Sequence, residues 1–302
     1  MRTFGKDKLA DVEVYLGEPN DQVREGMRSI MRDYGMRRTR TFARLEDMLT
    51  AIREAPPDLL IAGDSIGPAL FDAVRDIRHF KIGQNPFMVI SLMVGEAEGM
   101  VKRAIMSGAD DVMIKPVAPA KLLERVGRLS TNRQPFIVTN DYLGPERRKA
   151  DDTRPSNIRQ LNVVNTFQAK VDGKALSAAE LGKAVELNMN DVMAARLDSH
   201  GLKLGWVCGL ILKAYQERKI DKDLEERILI LVGVLEDAAN TAGSIDQPDL
   251  AQICKQMARQ VEEMAEIYEN PTSGQLGIIQ KLTRAFELAK TAKMSPPTAV
   301  AS

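Results

Sequence analysis

The sequence predicts an α/β domain with a parallel sheet covered on both faces, followed by an all-α bundle. Three observations carry this. Up to about residue 130, short apolar runs alternate with amphipathic stretches; residues 132–156 break the pattern; from about 157 onward the spacing is helical only. The expected division is therefore 1–131, a linker or docking strap at 132–156, a helical domain at 157–295 and a disordered tail at 296–302.

Residues 12–16 form a short β-branched run, and 20–33 place Val23, Met27, Ile30 and Met31 on one helical face. A second strand is expected at 36–41, then a helix at 43–54 that stops before Pro56 and Pro57. Buried strands follow at 59–62 and 87–92, with helices near 69–78 and 97–106. The last unit is a strand at 112–114 and a helix at 119–129, with Pro119 in its first turn. Five βα units of this length imply a doubly wound parallel sheet, whose sites lie at the carboxyl ends of the strands.

The segment 132–156 is rich in turn formers and charge, and reads as a linker or strap rather than a packed layer. Phe136, Ile137, Val138 and Tyr142 are its candidate anchors, and Arg147, Arg148 and Lys149 read as a solvated run. Beyond it, Ser177 and Glu180 match a capping box ahead of Leu181, Val185, Val192 and Met193. Apolar helical segments follow at 204–215, 223–239, 248–267 and 276–289, which suggests a bundle.

Composition narrows the function classes. The chain has 302 residues, 44% of them hydrophobic, which is ample for two cores. Its 42 basic residues match its 42 acidic ones, so bulk charge does not favour nucleic acid or an anionic membrane. Cys208 and Cys254 sit in apolar helical patterns as core fillers, consistent with a reducing compartment. No apolar run approaches the ~20 residues of a membrane span, and the start lacks the apolar core of an export signal. A cytoplasmic protein is expected.

Four pieces of text then point to one family. Residues 108–126 read GADDVMIKPVAPAKLLERV, 57–64 PDLLIAGD, 14–35 VYLGEPNDQVREGMRSIMRDYG and 86–93 PFMVISLM. Together, in this order and spacing, they resemble a response-regulator receiver domain of the chemotaxis-regulator type over about 120 residues. The resemblance implies a flavodoxin-like (βα)5 fold in a two-component signalling protein. It also implies an aspartate acceptor after the third strand, acids after the first that hold Mg²⁺, a lysine that contacts the phosphoryl oxygens and a switch hydroxyl after the fourth strand.

These parts carry over unevenly. Lys115, followed by Pro116, matches the lysine; Ser91 matches the switch hydroxyl; Glu18 takes the first acid position. Pro19 stands where the second acid belongs. Counted from Pro57 the acceptor position holds Gly63, whereas counted back from Pro68 it holds Asp64. One residue of slip turns a strand side chain to the other face, although a bulge at the strand end would re-aim it. Two readings stay open. In one the acid pocket is degenerate and the domain is a protein-interaction module. In the other Asp64 is phosphorylated at a weak Mg²⁺ site that it forms with Glu18.

No resemblance covers the helical half. Residues 181–197 have the length of a helix-turn-helix, but Arg196 is the only cation of the would-be reading helix, and residues 151–302 hold 18 Lys and Arg against 21 Asp and Glu. DNA binding is not expected. A phosphotransfer bundle needs an exposed helical histidine; His79 ends a helix and His200 lies in the turn-like DSHG. No phosphate loop, metalloprotease motif, nucleophile elbow or cyclic-dinucleotide enzyme signature is present, so no separate catalytic domain is expected. The remaining reading is a helical domain that binds a histidine kinase, another signalling protein or a second copy of itself. Trp206 is its candidate core or dimer anchor.

Overall fold

The structure, a computed structural model, describes residues 6–148 and 158–291 and divides into two units, Met1–Met189 and Asn190–Ser302. In the first unit, β1 (Glu13–Gly17), β2 (Arg38–Phe42), β3 (Leu59–Gly63), β4 (Val89–Val94) and β5 (Asp111–Ile114) make one parallel sheet. Its order is β2-β1-β3-β4-β5, the flavodoxin-like order that the receiver resemblance implied. Helices α1 (Asp21–Asp33), α2 (Leu45–Glu54), α3 (Leu70–Arg78), α4 (Met100–Met106) and α5 (Pro119–Leu129) complete the five units. Burial explains the order. Every residue of β3 and β4 is buried, as central strands require, whereas β2 leaves Arg38 and Arg40 exposed at the edge. Each face has its own core: Met48, Leu60, Ile90 and Ala104 on one, Val14, Ile61, Met113 and Val126 on the other.

The segment expected to be a linker is partly a packed layer. β6 (Phe136–Val138), β7 (Leu143–Pro145) and β8 (Gln160–Leu161) form a small antiparallel sheet of order β7-β6-β8. Residues 149–157 lie outside the described residues. After β8, α6 (Thr166–Val171) places Phe167 and Val171 in the core that holds Leu9, Val12 and Leu59. The helical domain expected from 157 therefore begins later, because residues 160–171 complete the first unit.

A buried ion network pins this extension. Arg78 Nη2 donates to Asp110 Oδ2 at 2.8 Å, and Arg133 Nε to Asp110 Oδ1 at 2.6 Å. The Ile90 N–H donates to the same carboxylate at 2.8 Å. Both guanidiniums lie over the Phe136 ring, at 5.2 and 4.8 Å from its centroid. Nor is the basic run simply solvated: Arg147 donates to the carbonyls of Ala109 and Asp110, and Arg148 pairs with Glu146 at 2.6 Å.

In the second part of the chain, α7 (Ala178–Gln216) is a single 39-residue helix. Its capping box forms as expected, with the Ser177 N–H donating to Glu180 Oε2 at 2.8 Å. Helices α8 (Lys222–Ser244), α9 (Pro248–Ala265) and α10 (Ser273–Thr291) follow, and the second unit's core gathers Leu204, Ile211, Ile228, Leu235, Cys254, Val261, Leu282 and Phe286. Three local expectations change. The two short helices at 181–197 are one continuous helix, so no turn separates a recognition helix. His200 is not in a turn but buried inside α7. Trp206 is 65% exposed rather than in the core. No helix among the described residues is long and apolar enough to cross a membrane. The tail at 296–302 lies outside the described residues.

Candidate functional site

Strands β1, β3 and β5 deliver three of the predicted site residues to the carboxyl edge of the sheet. Glu18 follows β1, and its N–H donates to the Phe42 carbonyl at 3.0 Å. Arg24, on the first turn of α1, grips the Glu18 carbonyl at 2.8 Å. Asp64 opens a 3-10 turn, Asp64–Ile66, directly after β3. Lys115 follows β5, its N–H bonded to the Val94 carbonyl at 2.8 Å.

These residues converge on the Lys115 ammonium. Its Nζ lies 2.7 Å from Asp64 Oδ1, 3.0 Å from Ser65 Oγ and 3.9 Å from Glu18 Oε2. The other Asp64 oxygen accepts the Gly95 N–H at 2.7 Å. Glu18 Oε1 accepts the Asn20 N–H at 3.1 Å, and the Ser65 hydroxyl lies 3.4–3.5 Å from the Glu18 oxygens. Burial pushes the Asp64 carboxyl up, but the Lys115 ammonium and the Gly95 N–H outweigh it and hold the group below its ordinary value.

The register question resolves through the 3-10 turn, not a bulge. Gly63 ends β3, paired with Met93, and the chain then tightens so that Asp64 swings onto Lys115. Above Gly63 there is no room for another side chain. A Cβ there would lie 2.7 Å from Glu18 Oε2 and 3.0 Å from Lys115 Nζ. Glu18 and Lys115 thus fill the volume over the glycine.

Ser91 does not join the site. It pairs with Ile61 in mid-strand, is fully buried, and its Oγ has no hydrogen-bond partner among the described residues. The reason is strand length. β4 continues to Val94, two residues past the expected end, so the strand end presents Met93 and Val94 rather than a hydroxyl. The hydroxyl that does reach the pocket is Ser65, which no motif singled out.

The donor set does not match what Mg²⁺ takes. That ion wants near-octahedral oxygen ligands, usually with one or two free carboxylates. Among the described residues the acids that meet here are Glu18 and Asp64, Pro19 adds no side-chain ligand, and both carboxylates already face one ammonium. Among the described residues no group of three His, Cys, Asp or Glu could hold a metal ion.

Elsewhere, the other singled-out groups are quiet. Burial drives the His200 imidazole down to about 4, so it is neutral near pH 7, with Nε2 at 3.4 Å from the Thr241 hydroxyl. Burial also lifts the thiols of Cys208 and Cys254 to about 11.

No protein-family model and no curated protein matches the chain. Among solved structures it is similar to a response regulator from Thermotoga maritima, at 17% identity and a TM-score of 0.34, over 39% of this chain and 97% of that one. It is also similar to FIXJ-N, at 18% identity and a TM-score of 0.35, over 40% of this chain and 95% of that one.

Proposed function

We propose that this chain is a two-component-type signalling protein of atypical form, whose receiver-like domain works by protein–protein contact without phosphotransfer. One observation carries the reading: the Lys115 ammonium already ion-pairs Asp64 at 2.7 Å and lies 3.9 Å from Glu18, while Gly63 ends β3 under them. The strand ends thus hold an internal ion cluster in which one ammonium is shared by two carboxylates. Its partners in this reading are a histidine kinase or another signalling protein of the cytoplasm, and it has no enzymatic output. The helical half offers Leu202 and Trp206, both exposed and one turn apart on α7, as apolar surface of the kind protein partners cover.

Incubation with acetyl phosphate and Mg²⁺, followed by intact-mass measurement, tests the reading. Unmodified protein is the expected result. A one-phosphoryl adduct that disappears in Asp64→Asn would overturn it in favour of a phosphorylation-controlled regulator. That second reading has one observation on its side: Asp64, Glu18 and Lys115 do meet in one pocket. A transcriptional output would add a salt-sensitive shift of duplex DNA by the full chain.

A further inference from the structure

The opposite edge of the sheet carries a second polar site. Where β5 begins, a cleft of about 480 Å³ is walled by α4, α5 and the end of β7. Five arginines (125, 128, 133, 147 and 148) and three acids (Asp110, Asp111 and Glu146) line it, an excess of two positive charges. Three of these arginines are committed elsewhere: Arg133 to Asp110, Arg147 to backbone carbonyls and Arg148 to Glu146.

Arg125 and Arg128 are placed differently. Both aim at one oxygen, Asp111 Oδ1, at 3.2 and 2.9 Å. A guanidinium has five N–H donors, so each keeps most of its donor capacity. The Asp111 side chain is only 4% exposed, yet its Oδ2 is buried without a hydrogen-bond partner among the described residues. Leaving a buried carboxylate oxygen unmet is costly, so the cleft lacks one donor and holds two surplus cations.

We infer that this cleft binds a small phosphate monoester that also carries an N–H or O–H donor, a nucleoside monophosphate being the type. The phosphate dianion matches the charge excess and takes the fork-shaped donors of Arg125 and Arg128. The Asp111 carboxylate turns its buried Oδ2 toward the cleft to meet the ligand's own donor, and the ligand's apolar ring face lies on Val101, Ile105 and Leu129. The volume falls in the ordinary range of small-molecule sites. This site is independent of the Lys115 cluster and gives the domain a small-molecule input.

Calorimetric titration of the full chain tests it, with AMP, GMP, inorganic phosphate and adenosine as probes. Saturable binding of a monophosphate is expected, about tenfold tighter than inorganic phosphate, with no binding of adenosine. The half-exposed side chains of Arg125 and Arg128 allow substitution without loss of fold, and Arg125→Gln and Arg128→Gln each weaken the monophosphate about tenfold. Asp111→Asn separates the two halves of the site. It weakens the monophosphate but strengthens inorganic phosphate, because a negative charge leaves and the arginines stay. Three results would overturn the inference: no monophosphate binding at millimolar concentration, binding no tighter than phosphate, or wild-type affinity in the Arg125→Gln/Arg128→Gln double variant.

Discussion

Replacing Lys115 by Met removes the cation on which the strand-end cluster is built. Exposed ion pairs contribute about 0.2–1 kcal/mol, while breaking a fully buried one costs about 3–5 kcal/mol. The side chains of Lys115, Asp64 and Glu18 are 29%, 15% and 7% exposed, between those limits, so a loss of about 2 kcal/mol is expected at neutral pH. For a unit of this size, that lowers the Tm by about 4–8 °C. The pH dependence has a definite sign. The folded-state Asp64 carboxyl is depressed, so its contribution is present above the unfolded value of about 3.9 and is lost as pH falls through the folded value. The wild type and Lys115→Met should therefore differ fully at pH 7 and converge below about pH 4. Metal gives a second readout. With the ammonium gone, Glu18 and Asp64 offer Mg²⁺ two unpaired carboxylates, and ion at ten times its Kd returns about 1.4 kcal/mol to the variant. Thermal unfolding by far-ultraviolet circular dichroism, across pH and with or without MgCl₂, measures both. Fluorescence of Trp206, the only tryptophan, reports the second unit and should not move. A pH-independent difference, or equal Mg²⁺ stabilisation of the two proteins, would refute the idea that Lys115 ties up the acids of this pocket.

Gly63→Asp should lower stability in metal-free buffer, because its Cβ meets Glu18 Oε2 at 2.7 Å and a third carboxylate joins the pocket; the same variant should gain Mn²⁺ affinity over wild type by calorimetry. Asp110→Asn leaves the guanidiniums of Arg78 and Arg133, 1% and 5% exposed, without their counter-charge, so urea unfolding should show a loss of about 3–5 kcal/mol. That difference persists above about pH 4 and narrows below it, since the native Asp110 carboxyl is held below its ordinary value: burial raises it, but Arg133 and Arg78 lower it further. In the second unit, His200 takes its proton near pH 4 when folded but near 6.5 when unfolded. Stability followed by Trp206 fluorescence should therefore fall by up to about 3 kcal/mol as pH drops through that window, and His200→Gln should abolish the slope.

Much of the fold was legible because the relevant signals are local. The apolar runs of β3 and β4 are buried on both faces, and the Ser177–Glu180 box does cap α7. The small antiparallel sheet was not legible. Strands of two or three residues show no alternation, and what orders them is Arg133 reaching Asp110 and Phe136 meeting Arg78, 23 and 58 positions back along the chain. At the site, Glu18 and Lys115 follow their strands directly and were readable. Ser91 was misplaced because strand ends are the weakest part of a periodic reading. Three further apolar residues, Leu92, Met93 and Val94, carry β4 past it.

His200 shows the same failure in its sharpest form. Serine and glycine in DSHG favour a turn on local grounds, and each costs a helix interior up to about 1 kcal/mol. Yet α7 runs straight through them. Gly201 is buried, and a Cβ there would lie 3.1 Å from Phe286 Cε1 and 2.4 Å from Glu287 Oε1. The glycine therefore serves close approach between α7 and α10, which is a tertiary demand and leaves no mark in the local sequence. The same logic governs Gly63. In a strand end that resembles a phosphoacceptor, a glycine reads as a loss. In the folded chain it is the space that lets Glu18 and Lys115 close over β3 and draws Asp64 onto the same ammonium. Its absence of a side chain is what lets the Lys115 ammonium sit between the two carboxylates rather than leave an open acid pocket, and that is why Gly63→Asp is the substitution expected to reopen it.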